Sequence, residues 1–123
     1  MTSGLVLYID DNEDNIRLVE RVIKRTPGIE LRTATTGRAG IKAAAEDQPS
    51  LILLDNRLPD ADGEQVLREL ASMPATSAIP VIMVSGDANP DLIDDLRAAG
   101  AVDYLIKPFD IHHLISVITR HIG

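Results

Sequence analysis

Five short apolar runs, each followed by a longer amphipathic stretch, constrain this chain more than any other feature. The runs are Leu5 to Ile9, Leu31 to Ala34, Leu51 to Leu54, Val81 to Val84 and Val102 to Ile106. Each has the length of a strand, and most are apolar on both faces. A strand without a polar face needs cover on both sides, which points to a parallel sheet layered between helices.

The intervening stretches read as helices. Leu18, Val19, Val22 and Ile23 recur at helical spacing after Asp14, and Pro27-Gly28 stops the pattern. Thr36 stands where it caps a second helix through Asp47, closed off by Pro49. Asp62 opens a third, carrying Val66, Leu67 and Leu70, and Asn89-Pro90 opens a fourth that Gly100 ends. The last begins at Asp110, with Ile111, Leu114, Ile115, Ile118 and Ile122 on one face. With right-handed crossovers this alternation predicts an α/β fold, a doubly wound (βα)5 parallel sheet. Its ligand site belongs at the carboxyl ends of the strands, where strand order reverses.

Length and charge bound the function. With 123 residues and no internal linker or repeat, residues 1–123 read as a single domain. A net charge of -7 with scattered Lys and Arg argues against direct nucleic-acid binding, since phosphate contacts need clustered cations. The absence of cysteine excludes disulfides, thiolate metal sites and cysteine nucleophiles. No apolar run approaches the roughly 20 residues that span a bilayer. The first residues lack a basic segment and cleavage site, so the expectation is a cytoplasmic protein with no membrane contact.

If function sits at the strand ends, the residues after each run carry it: Asp10-Asp11, Asp55, Ser85 and Lys107. Clustered carboxylates repel, so they must take up protons or share a cation. An all-oxygen ligand set is what Mg²⁺ prefers. Asp10 and Asp11 also suit N-capping of the next helix. Asp55 reads as ligand, base or nucleophile, or as the first residue of a turn. Lys107 precedes Pro108, a bond type that adopts cis and would aim the ammonium back over the sheet edge.

In order, spacing and strand context from Leu5 to Arg120, this set resembles the receiver domain of response regulators. The likeness extends through Asp55-Asn56-Arg57-Leu58-Pro59-Asp60-Ala61-Asp62-Gly63, Ser85-Gly86 and Lys107-Pro108-Phe109. The resemblance implies a flavodoxin-like sheet of order 2-1-3-4-5. It implies that Asp55 accepts a phosphoryl group from a phosphohistidine on a sensor histidine kinase or phosphotransfer protein. Asp11, Asp55 and the Arg57 backbone carbonyl would ligate Mg²⁺, with Asp10 acting mainly through water. Ser85 and Lys107 would hold phosphoryl oxygens, which makes this positioning and charge neutralisation rather than enzymatic turnover. Tyr104, three residues before Lys107, resembles the switch aromatic that turns inward as Ser85 moves. The output face would comprise the fourth helix, fifth strand and fifth helix.

The implied protein is a single-domain regulator without an output domain in this chain. The alternatives are a receiver segment of a hybrid kinase, a pseudo-receiver binding module, and an aspartyl-phosphate phosphatase. A phosphatase would need a second Asp where Arg57 stands, and a pseudo-receiver should lack an acidic residue or the lysine. Arg57 and Asp87 are candidates to pair across the cleft and tune the lifetime of the phosphate. Ile16, read at the margin of its core stripe, and Val117, read outside its own, are interface candidates, the former towards the kinase or phosphotransfer protein and the latter on the output face or in a homodimer. His112, His113 and His121 read as surface or structural residues.

Overall fold

The computed structural model describes residues 4–108 and 110–122. Five strands, β1 (Gly4–Ile9), β2 (Ile29–Ala34), β3 (Leu51–Asp55), β4 (Val81–Ser85) and β5 (Asp103–Ile106), alternate with five helices. The helices are α1 (Glu13–Lys24), α2 (Gly37–Asp47), α3 (Gly63–Ser72), α4 (Pro90–Ala98) and α5 (Ile111–Ile122). All pairings are parallel and the order is β2-β1-β3-β4-β5, as the resemblance implies.

Alternation along the strands divides the core into two layers. Leu7, Ile9, Ile52, Leu54 and Met83 face α2, α3 and α4. Val6, Tyr8, Leu53, Ile82 and Val84 face α1 and α5. Every residue of β3 and β4 is buried, which explains why those runs show no polar face.

Local signals set the helix ends. Thr36 accepts the Ala39 N–H, Asp62 forms a capping box with Gln65, and Asn89 accepts the Asp91 N–H ahead of Pro90. Asn12, not Asp10 or Asp11, caps α1 by accepting the Asn15 N–H, leaving both carboxylates for other work. That helix ends at Lys24, before Pro27-Gly28. Beyond α4, Gly100 takes a φ of 122°, a conformation that side chains with a Cβ avoid, and turns the chain into β5.

The sequence reading fails in three places. β2 starts at Ile29, two residues before the apolar run Leu31 to Ala34, and as an edge strand with a neighbour on one side only it leaves Glu30, Arg32 and Thr33 exposed. Val102 precedes β5 instead of starting it and is 44% exposed. In α5 the buried arc is Leu114, Val117 and Ile118, while Ile111 in the first turn is 46% exposed. Val117 lies three residues after Leu114 and beside Ile118, on the arc that faces the sheet. It is completely buried, so it is a core residue and not an interface candidate. Ile16 is half-buried against the same layer.

No helix among the described residues is long and apolar enough to cross a membrane.

Candidate functional site

Strand register brings the chemistry together. Ile9 stands opposite Leu54, so Asp10 comes level with Asp55. Asp55 pairs with Val84 and Ser85 with Ile106, which sets Ser85 and Lys107 one step further along the same edge. The Lys107 N–H donates to the Ser85 carbonyl at 2.8 Å, and the Lys107-Pro108 bond is cis. Phe109 lies outside the described residues.

Asp10 and Asp55 are buried and Asp11 is exposed at the mouth. Oxygens of the three lie within 4.8 Å of one another. Lys107 bridges the two buried carboxylates, with Nζ at 3.2 Å from Asp10 Oδ2 and 3.1 Å from Asp55 Oδ1. It is the sole donor to the Asp55 carboxylate among the described residues. Such a donor set fits a hard divalent cation: all oxygen, close enough to share one ion, and open to solvent on the Asp11 side. Asp10, Asp11 and Asp55 are the residues that could hold it.

Asp10 is the most engaged of the three, chiefly through one oxygen. Its Oδ1 accepts the Asn12 N–H at 2.9 Å. Its Oδ2 accepts from the Tyr8 hydroxyl at 2.5 Å, Asn15 Nδ2 at 3.2 Å and Lys107. Burial opposes ionisation of Asp10, but these donors outweigh it and hold the carboxyl below the usual range. Asp55 moves the other way. Burial and the Asp10 charge push its carboxyl up, against the pull of Lys107. Burial, reinforced by Asp10, pushes the Tyr8 phenol far up, so Tyr8 keeps the proton it donates to Asp10.

A cleft of about 350 Å³ opens onto these groups, lined by Asp55, Asn56, Arg57, Ser85, Gly86, Asp87 and Lys107. A larger one of about 620 Å³, between α1 and the β2 edge, gathers no convergent reactive groups and lies away from the carboxylates. Size alone does not mark the site.

Arg57 and Asp87 line the cleft but form no ion pair among the described residues. The Asp87 carboxylate accepts the Asn89 N–H at 2.9 Å in a local turn. Ser85 Oγ accepts the Asp87 N–H at 3.1 Å, and the buried Tyr104 hydroxyl donates to the Asp87 carbonyl at 2.6 Å. Ser85 and Tyr104 are thus joined through one peptide segment. His112 and His113 are exposed, whereas His121 meets Asp103 at 3.4 Å. The sequence reading missed the roles of Tyr8 and Asn15. For Tyr8 the signal was its position two before Asp10, on the same face of β1.

The comparisons with known proteins converge on one family. The profile of the response regulator receiver domain matches residues 6–119. Response regulator PleD of Caulobacter vibrioides is 39% identical over 109 residues, which are 88% of this chain and 24% of PleD. Among the curated relatives matched first, the chain spans only a quarter to a half of their length. A response regulator structure from Chloroflexus aurantiacus J-10-fl superposes with a TM-score of 0.89 at 26% identity, covering 98% of each chain. The receiver domain of a Pseudomonas aeruginosa PAO1 sensor histidine kinase, solved with magnesium coordinated in its active-site cleft, gives 0.87 at 28% identity, again over 98% of each chain. With strand order, site carboxylates and profile in agreement, this chain belongs to the response regulator receiver domains of two-component signalling.

Proposed function

We propose that Asp55 accepts a phosphoryl group from the phosphohistidine of a sensor histidine kinase or phosphotransfer protein, with Mg²⁺ held by Asp11, Asp55 and the Arg57 carbonyl. The observation that carries this reading is the meeting of three carboxylates within 4.8 Å, with Lys107 set on Asp55 at 3.1 Å. A lone pair on an Asp55 oxygen forms the new P–O bond as the P–N bond to the donor imidazole breaks. The imidazole leaves with that electron pair and takes a proton from solvent. Mg²⁺, when bound, supplies charge neutralisation for the oxygens around phosphorus. Asp10 acts through water and through Lys107, with its Oδ2 already taken by three donors.

Lys107 moves from Asp55 Oδ1 to a phosphoryl oxygen, and Ser85 turns its hydroxyl to another. Ser85 then gives up the Asp87 N–H, which passes the change along the Asp87 segment to Tyr104 and the face formed by α4, β5 and α5. The added charge is about -1.5 to -2 at neutral pH, enough to recruit several charge-assisted hydrogen bonds. Arg57 and Asp87, placed at the cleft mouth without bonding each other, set how readily water reaches the acyl phosphate.

Incubation with acetyl phosphate and Mg²⁺ tests the reading. Wild type is expected to take up one base-labile phosphoryl group and Asp55→Asn none. The label's half-life is expected to change in the Arg57→Ala/Asp87→Ala double variant. A wild type that takes up no label would sink the acceptor role, and an unchanged half-life would remove Arg57 and Asp87 from it.

A further inference from the structure

Tyr8 is an odd residue for its place. It sits mid-sheet on β1, fully buried in the layer that contains Val19, Leu53 and Leu114. Phenylalanine would fill the same volume, so what the phenol adds is one hydroxyl. That hydroxyl spends its proton on Asp10 Oδ2 at 2.5 Å.

A carboxylate offers about four lone-pair sites. Asp10 has four donors, from Tyr8, Asn12, Asn15 and Lys107, unevenly shared between its two oxygens. Three of the four converge on Oδ2, where Tyr8 and Asn15 compete with Lys107 for the same charge. Lys107 is also the cation that contacts Asp55.

We infer that Tyr8 is a positioning residue: its hydroxyl takes up charge on Asp10 Oδ2, which weakens the pull of Asp10 on Mg²⁺ and keeps its hold on Lys107 weak enough for Lys107 to pass to a phosphoryl oxygen. The second half rests on the acceptor role proposed for Asp55, and the first does not. Removing the hydroxyl leaves Oδ2 with two donors, Asn15 and Lys107, and returns negative charge to it. Mg²⁺ then binds more tightly, while Lys107 stays with Asp10 and phosphoryl transfer slows.

The experiment compares the full chain with Tyr8→Phe in two arms: Mg²⁺ affinity from amide shifts by NMR, and the rate of acetyl phosphate labelling at saturating Mg²⁺. The Mg²⁺ dissociation constant is expected to fall, and the labelling rate to fall with it, each by about threefold to tenfold, the scale of one hydrogen bond. Tighter metal with slower transfer is not a result that loosened packing produces. Unchanged affinity and rate, or weaker metal with slower transfer, overturns the inference. If wild type takes up no label, the acceptor role of Asp55 fails together with the Lys107 half of the inference, and the metal arm alone decides the Asp10 half. Should Tyr8→Phe not fold, Asn15→Ala strips a second donor from the same oxygen outside the core and must shift both quantities the same way.

Discussion

Gly63→Ala tests whether the floor of the site is as tightly built as the geometry implies. Gly63 opens α3, and its N–H donates to the Asn56 carbonyl at 2.8 Å. A Cβ there would stand 2.7 Å from Asn56 Cα, 2.8 Å from the Asp55 carbonyl oxygen and 2.8 Å from Met83 Cε. Carbon atoms pack best at about 3.5–4.0 Å, so roughly 1 Å of relief is needed. The Met83 methyl can swing away, but the other two atoms are backbone and belong to the acceptor residue and its neighbour. Overpacking of this kind costs about 1–3 kcal/mol, against at most about 1 kcal/mol gained by alanine in a helix. A net loss of about 1–2 kcal/mol lowers Tm by about 4–8 °C for a chain of this length. Thermal unfolding followed by circular dichroism measures it, with Gly86→Ala as the control. Gly86 also lines the cleft, but a Cβ there meets nothing within 4 Å, so its Tm should not move. A Gly63→Ala Tm equal to or above wild type would refute the reasoning.

Two further outcomes follow from burial and charge. Val117→Ala should destabilise the fold by about 2 kcal/mol, two methyl groups at roughly 0.8 kcal/mol each plus a cavity, without changing self-association; a shifted monomer–oligomer balance in analytical ultracentrifugation at unchanged stability would return Val117 to an interface. Burial opposes ionisation of Asp103, but the Tyr104 N–H, His121 and Arg120 outweigh it and hold its carboxyl below the usual range. A lowered folded value means that the stability Asp103 contributes is complete above the unfolded pKa of about 3.9 and is lost as pH falls through the folded one. The gap in urea stability between wild type and Asp103→Asn should therefore be wide at pH 6 and shrink steadily in more acid solution, and a gap that holds constant would contradict the assignment.

The interior strands and the helix caps were legible because their signals are local. β3 and β4 are apolar at nearly every position, and Thr36, Asp62 and Asn89 cap where their residue types favour capping. The site was legible for a related reason: in a parallel sheet, residues that follow successive strands must meet at one edge, so the apolar runs alone collect Asp10, Asp11, Asp55, Ser85 and Lys107. What escaped depends on tertiary context. The exposure of β2 follows from its place at the sheet edge, which run-by-run apolarity does not encode. Val117 was misassigned because the stripe of α5 was anchored on Ile111, whose first-turn position leaves it exposed. Arg57 and Asp87 carry opposite charge at the same mouth without pairing, and the Asp87 carboxylate accepts the Asn89 N–H of its own loop. Tyr8 was counted as an aromatic, and only the geometry of Asp10 revealed its hydroxyl as one of four donors.

The central claim, that the carboxylate of Asp55 becomes an acyl phosphate, is tested most directly by trapping. Borohydride reduction of the chain after incubation with acetyl phosphate and Mg²⁺ converts an aspartyl phosphate to homoserine, which peptide sequencing by mass spectrometry locates. The account predicts homoserine at position 55 and at none of the other aspartates, and none at all when Mg²⁺ is withheld. Homoserine at another aspartate, or at none in the complete reaction, would contradict it.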